Sequence, residues 1–211
     1  MNTTSDMDAQ HVGTFWLLKL TEASPPMVEA RVPATFQRAG PEGMAELGQA
    51  MGLSDGSDTG NADEIARRFA AGKWCYTGRV DGSLATYGWV TFDKEEIGEL
   101  GLSIRLRPGE AYIWDCGTPP AYRGQRLYPA LLSYICAELR ALGLRRLWIG
   151  ADADNVASQR GMELAGFRPI ADFLLASPSD SRLAWLRGCP GASEQEIQDV
   201  YAAIFGDKRE T

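Results

Sequence analysis

Apolar positions along this chain switch between a period of two and a period near 3.6, and the switches mark its elements. Thr14–Leu20 (Thr-Phe-Trp-Leu-Leu-Lys-Leu) is apolar, β-branched and aromatic, which predicts a strand. Residues 28–52 carry helical spacing interrupted by Pro33 and by Gly40-Pro41, which predicts two helices. Residues 54–60 are a loop by composition. Asn61 and Glu64 have the spacing of a capping box, Ile65, Arg68 and Phe69 continue at helical intervals, and Gly72 ends the helix.

Trp74–Val80 and Leu84–Phe92 flank Asp81-Gly82, a two-residue turn sequence that predicts a hairpin. Asp93–Gly98 reads as an acidic turn, and Leu100–Leu106 and Ala111–Cys116 as further strands. Leu127, Leu131, Leu132, Ile135, Cys136, Leu139 and Leu142 form one helical stripe closed by Gly143. A strand over Leu144–Ala151 follows, then a short helix capped by Asn155 and ended by Gly166, then strands over Phe167–Leu175 and Leu183–Leu186. Ser193 and Glu196 form a second capping box ahead of Ile197, Val200, Tyr201, Ile204 and Phe205, with Gly206 as the stop. This order predicts an α/β (α+β) fold: a mixed, mostly antiparallel central sheet flanked by helices. The early hairpin forces antiparallel pairing, while the helix between Cys116 and Leu144 is long enough for a parallel crossover. Residues 1–12 are expected to be a disordered tail and 13–192 a single domain. Residues 193–211 add a C-terminal helix and tail, whose apolar face must cover its own sheet or a second subunit in a homodimer.

Composition narrows the chemistry. The 211 residues carry a formal charge of -7, which argues against nucleic-acid binding and favours cationic partners. No apolar run spans a membrane and residues 1–10 lack a signal-peptide core, so the expected location is cytoplasmic. Cys75, Cys116, Cys136 and Cys189 include no Cys-x-x-Cys pair, and no metal site is expected. His11 is the single histidine and reads as a solvated terminal residue; the count disfavours a Ser-His-Asp triad, a Cys-His dyad and multi-histidine metal sites.

The chemistry concentrates in Trp114–Leu132. An apolar strand ends at Pro119-Pro120, which cannot donate ladder hydrogen bonds. Tyr122, Arg123, Gly124, Gln125 and Arg126 then lead directly into a helix at Leu127 and Tyr128. The first amides of a helix have no intrahelical acceptor and carry the positive end of its dipole. A glycine-bearing turn feeding such an end cradles anions, and Arg123 and Arg126 add charge suited to phosphate oxygens.

These residues resemble the coenzyme A pyrophosphate loop of the GNAT superfamily, the acyl-CoA-dependent N-acetyltransferases, whose pattern is Arg/Gln-x-x-Gly-x-Gly/Ala. Arg123 matches the first position; Arg126 and Tyr128 stand where that pattern has its small residues. Downstream, Asn155, Ser158 and Gly166-Phe167 are similar to the family's Asn-x-x-Ala/Ser helix closing on Gly-Phe. The resemblance covers a core of about residues 63–173. It implies the GNAT fold and transfer of an acetyl or other acyl group from acyl-CoA to an amine by direct attack, with acetyl-CoA as co-substrate. The alternatives are a module that binds acyl-CoA without turnover, and an acyltransferase for hydroxyls or long chains. The resemblance places the pantetheine arm along Cys116, Gly117 and Thr118, the diphosphate over Arg123, Gly124, Gln125, Arg126, Leu127 and Tyr128, and further contacts at Asn155 and Ser158.

For the amine's proton the candidate bases are Glu110 and Asp115, at the start and end of one strand. Adjacent strand residues face opposite ways, so only one of Asp115 and Cys116 is expected to face the cleft. The resemblance puts the thiolate's acid at position 162, here Met162, which leaves Ser158, Tyr128 and Tyr112 as substitutes. The acceptor, a small amine whose cationic form the acidic charge favours, is expected beside the N-terminal helices, Asp93–Glu99 and the C-terminal strands.

Overall fold

The structure, a computed structural model, describes residues 10–55, 62–97, 102–175 and 184–206. The residues expected to form the outer tails (1–9 and 207–211), most of the 54–60 loop, Asn61, Glu99 and Leu183 lie outside them. The strands are β1 (Gln10–Lys19), β2 (Thr35–Ala39), β3 (Trp74–Val80), β4 (Ser83–Thr91), β5 (Lys94–Ile97), β6 (Leu102–Arg105), β7 (Glu110–Gly117), β8 (Arg146–Asp152), β9 (Arg168–Leu175) and β10 (Ala184–Gly188). The helices are α1 (Met44–Asp55), α2 (Ala62–Ala70), α3 (Leu127–Ala141), α4 (Val156–Leu164) and α5 (Glu194–Phe205). Eight strands form one sheet in the order β10-β9-β1-β8-β7-β4-β3-β2, and β5 and β6 form a separate hairpin. Every pair in the large sheet is antiparallel except β7–β8, which α3 connects in parallel.

Two layers cover the sheet. Leu131, Leu132, Ile135, Cys136 and Leu139 of α3 and Met162 of α4 pack on Tyr76, Val90, Ile113 and Ile149. On the opposite face Val200, Ala203 and Ile204 of α5 join Phe15, Tyr112, Trp148 and Phe173, with Ile97 and Ile104 of the small hairpin. Beside them Leu47 and Met51 of α1 and Ile65 of α2 cover Cys75, Tyr87 and Trp89. The last helix therefore covers its own sheet. Its capping box forms as expected: Ser193 Oγ accepts from the Glu196 amide at 3.3 Å and Glu196 Oε2 accepts from the Ser193 amide at 2.9 Å. Among the described residues no helix is long and apolar enough to cross a membrane.

Several expectations are corrected. Residues 28–52 hold one long helix, not two: Thr35–Ala39 is an edge strand on β3. Phe36 fixes it, stacking on Tyr134 (centroids 6.0 Å) across the space left by Gly78, where a Cβ would lie 2.7 Å from the ring. The first strand begins at Gln10, so residues 10–12 belong to the sheet, with Gln10 opposite Leu175. His11 correspondingly sits at the sheet rim, its Nε2 3.3 Å from Asp172 Oδ1 and 3.0 Å from the Gly13 carbonyl. The acidic turn at 93–98 is largely strand β5: its residues alternate outward and inward, and Glu95 faces inward because Lys73 Nζ meets it at 2.5 Å.

Candidate active site

The parallel pair at the sheet centre is short. β7 and β8 are in register from Glu110 opposite Arg146 to Ile113 opposite Ile149. Beyond that point β7 stays with β4 (Gly117 opposite Tyr87) and β8 stays with β1 (Asp152 opposite Gly13), so the two strands part. A cleft of about 810 Å³ opens between them and passes through the sheet. Its wall on the α3/α4 side carries Cys116, Tyr128, Asn155 and Ser158; the opposite wall carries Phe15, Ile97, Tyr112, Trp114 and Phe173. Glu96, Asp115, Asp152 and Asp154 are its acidic lining, and the lining includes no Lys, Arg or His among the described residues.

One extra residue in β7 shapes the cleft. Trp89 and Tyr87 are two apart, yet they face Trp114 and Gly117, which are three apart. The excess is absorbed as a β-bulge, with Asp115 at φ 42°. Alternation fails there, so both Asp115 and Cys116 line the cleft, correcting the expectation that only one would. Gly88 makes room for the bulge; a Cβ on it would lie 2.9 Å from Cys116 Sγ. Asp115 Oδ2 is ion-paired with Arg68 Nη1, and Asp115 Oδ1 lies 3.5 Å from the Tyr87 hydroxyl. The Arg68 guanidinium lies over Trp89 and Trp114, 5.1 and 4.5 Å from their centroids. Burial alone would lower its pKa, but hydrogen bonds and charge from Asp115 and Glu64 outweigh burial and raise it. Burial, then the Asp115 charge, push the Cys116 thiol upward, which disfavours the thiolate form.

Glu110 is not brought to the cleft. It starts β7, roughly 17 Å along the strand from Asp115 at the usual rise per residue. There Oε2 accepts from the Arg107 amide at 3.1 Å and Oε1 meets Arg146 at 3.4 Å. Its expected role as base is therefore set aside, because a carboxylate tied down at the far end of the strand cannot reach the reacting centre.

The anion loop leads into α3, whose Tyr128 lines the cleft, while residues 118–127 themselves are not among its lining. A 3-10 turn over Pro120–Tyr122 leads to Arg123, whose Nε donates to the Thr118 carbonyl at 3.0 Å. Gly124 (φ 77°) and Arg126 (φ 57°) are both left-handed, so Arg126 adopts the conformation that the family's glycine would favour. Arg31, on the segment after β1, was not foreseen. Its amide donates to the Gln125 carbonyl at 2.8 Å and its guanidinium to the Gly124 carbonyl at 3.1 Å. In a planar trans peptide the C=O and the following N–H point opposite ways. Holding these two carbonyls against Arg31 therefore turns the Gln125 and Arg126 amides away from it. The Leu127 side chain is 1% exposed and belongs to the core, so only its backbone is available there. Two left-handed residues, oriented amides and the arginines fit a diphosphate, and the cleft behind them fits an extended arm.

The remaining expected residues also gather here. Thr86 Oγ1 donates to the Gly117 carbonyl at 2.9 Å and lies 3.0 Å from Thr118 Oγ1, which holds the end of β7 on β4. Asn155 Oδ1 accepts from the Ser158 amide at 3.0 Å, a helix cap at the cleft edge. Ser158 Oγ lies 3.1 Å from the Tyr128 hydroxyl, while Met162 is buried core.

Comparison with known proteins agrees with this fold. The family model described as acetyltransferase (GNAT) family matches residues 54–167, more than half of the chain. No protein of curated function matches the chain in sequence. An acetyltransferase from the GNAT family of Colwellia psychrerythraea is similar in fold, with TM-score 0.59 and 14% identity, covering 79% of this chain and 55% of that one. A putative GNAT acetyltransferase from Novosphingobium aromaticivorans gives TM-score 0.50 at 20% identity, covering 77% and 63%. The ribosomal-protein-S18-alanine N-acetyltransferase of Escherichia coli gives 0.50 at 17% identity, covering 64% and 77%. The match thus spans little more than half of the Colwellia chain and under two thirds of the Novosphingobium chain.

Proposed function

The chain belongs to the acetyltransferase (GNAT) family, and on that premise we propose that it transfers an acetyl group from acetyl-CoA to the amine of a small cationic molecule in the cytosol. The observation that carries this reading is the parting of β7 and β8 into a cleft through the sheet, lined by Tyr128 from the first turn of the helix into which the arginine-bearing loop leads. Acetyl-CoA supplies an activated acyl thioester. The loop amides with Arg123 and Arg126 hold its diphosphate, and the freed edge of β7 at Asp115, Cys116, Gly117 and Thr118 lies alongside its arm. The amine enters from the Phe15–Tyr112–Trp114 side. A lining with four carboxylates and no described cation attracts an ammonium group by Coulomb attraction in a low-dielectric setting. Asp115, two residues past the last β7–β8 pair and in the cleft lining, is placed to take up the amine's proton directly or through water.

Two measurements test this. Acetyl-CoA should raise the melting temperature, since a ligand that binds only the native state stabilises it. Thiol release from acetyl-CoA should then accelerate with at least one of spermidine, glucosamine or tyramine. No melting shift with any coenzyme A thioester rules the reading out. A shift without thiol release for any amine, hydroxyl or acyl length favours a binding module instead.

A further inference from the structure

Breaking a thioester leaves negative charge on sulfur, and some group on the arm's side of the cleft must meet it. Tyr128 and Ser158 carry the hydroxyls on that wall, 3.1 Å apart. Tyr112 is on the other wall, stacked on Phe15 with centroids 5.7 Å apart. α4 carries no tyrosine, and its Met162 points into the core. The ring reaches this place from α3, through a notch in α4. A Cβ on Gly161 would lie 2.5 and 2.6 Å from Tyr128 Cδ1 and Cε1, so only glycine admits the ring. A glycine inside a helix costs about 1 kcal/mol relative to alanine, and here the ring seat accounts for it.

We propose that Tyr128, seated on Gly161 and held by Ser158, donates a hydrogen bond to the sulfur of the acyl donor as the carbon–sulfur bond breaks. This rests on the acyl-CoA reading above. The nitrogen's electron pair forms the new C–N bond, and the C–S pair leaves on sulfur. The proton shed by nitrogen passes to Asp115 or water, and sulfur takes its proton from water. The phenol ends as it began. Burial, then the nearby Cys116, push the Tyr128 phenol well above its ordinary range, with the Ser158 hydrogen bond opposing them in part. A phenol so held gives up its proton less readily than a free one and opposes full transfer to the leaving thiolate. It acts as a donor and not as a full acid.

The test reads the thiol itself and needs no acceptor. Coenzyme A is bound to the protein and its thiolate absorbance is followed against pH. Tyr128→Phe keeps the ring on Gly161 and removes only the O–H. The bound thiol should titrate about 1–2 pH units higher in Tyr128→Phe than in the wild type, the worth of a hydrogen bond to a charged group. Ser158→Ala, which releases the hydroxyl, should give a smaller rise of the same sign. Equal thiol pKa values in wild type and Tyr128→Phe, both with coenzyme A bound, overturn the role of Tyr128 and leave the acyl-CoA reading standing. Failure of the wild type to bind coenzyme A at all overturns both.

Discussion

Arg68 reaches Asp115 across 47 positions of sequence and lies between that carboxylate and the faces of Trp89 and Trp114. The pair joins α2 to the bulge of β7, so a helix on the outer layer sets the position of a carboxylate in the cleft. Arg68 is mostly shielded and Asp115 partly so, with side chains 13% and 28% exposed. Arg68→Ala would leave the carboxylate without its ion-pair partner and Trp114 with Lys73 Nζ, 4.7 Å from its centroid, as its remaining cation. The expected loss is about 2 kcal/mol, between the small worth of surface pairs and the larger cost of breaking buried ones. Arg68→Lys should recover only part, because an ammonium lacks the planar fork that pairs and stacks at once. Urea denaturation of the three proteins measures this; a change within a few tenths of a kcal/mol would mean that the pair contributes nothing to the fold.

Arg126 opens α3 at φ 57° without a side-chain cap. A left-handed residue with a Cβ is strained by roughly 1–2 kcal/mol. Arg126→Gly and Arg126→Ala both remove the charge and differ mainly in that strain. Arg126→Gly should therefore be the more stable of the two by about 1 kcal/mol, less the entropy that glycine adds to the unfolded chain. Both should bind acetyl-CoA more weakly than the wild type, each by about 1–3 kcal/mol, the worth of hydrogen bonds to charged groups. Arg123→Ala should lose a similar amount. Calorimetric titration with acetyl-CoA separates the two effects, and unchanged affinity in all three variants would remove the loop from the binding site.

What the sequence made legible follows from how local each signal is. The Asp81-Gly82 turn and the stripe on α3 are encoded within a few residues of the structure they make, and both appear, save that Leu142 falls past the helix end and is exposed. β2 was missed because five residues at a sheet edge show no period of their own; Phe36 acquires its meaning from Tyr134, nearly a hundred residues on. The bulge was invisible for a different reason. Alternation assumes one residue per step, and nothing in Trp114–Gly117 announces that β4 will take two steps while β7 takes three. That single extra residue decides how many side chains enter the cleft. The loop motif was legible as an anion cradle, but Arg31, which turns its amides, comes from a segment with no motif at all.

Gly161 offers a sharper test of the ring seat. Alanine at an interior helix position ordinarily stabilises by up to about 1 kcal/mol. Here the new methyl group meets Tyr128 ring carbons at about 2.5 Å, and overpacking of that kind costs about 1–3 kcal/mol. The net expectation is a loss of about 1 kcal/mol or more, together with displacement of the Tyr128 hydroxyl from Ser158. Gly161→Ala combined with Tyr128→Ala should be more stable than the sum of the single changes, because the methyl then fills space that the ring has left. Simple additivity in this double-mutant cycle would show that residue 161 and the ring do not touch.

The α5 anchor makes stability depend on acid. Glu196 is 4% exposed and sits between Lys19 Nζ, at 2.8 Å, and Arg168. Burial alone would raise its pKa. The hydrogen bonds from Lys19 and Ser193 and the charge of Arg168 outweigh burial and lower it from 4.5 to about 2. The unfolded chain therefore binds this proton more tightly than the folded one. The contribution of Glu196 is fully present above its unfolded pKa and is lost as pH falls from about 4.5 toward 2, amounting to at most about 3 kcal/mol. Glu196→Gln should be less stable than the wild type near neutral pH, and the gap should close as the solution is acidified through that window. Asp199, bound by Arg146 and Arg107, is also held below its ordinary range, but it titrates in both proteins and cancels from the comparison. Denaturation curves collected at pH steps through the window measure the gap directly. A difference that stays constant with pH would show that Glu196 acts through packing and the helix cap, with its charge contributing nothing.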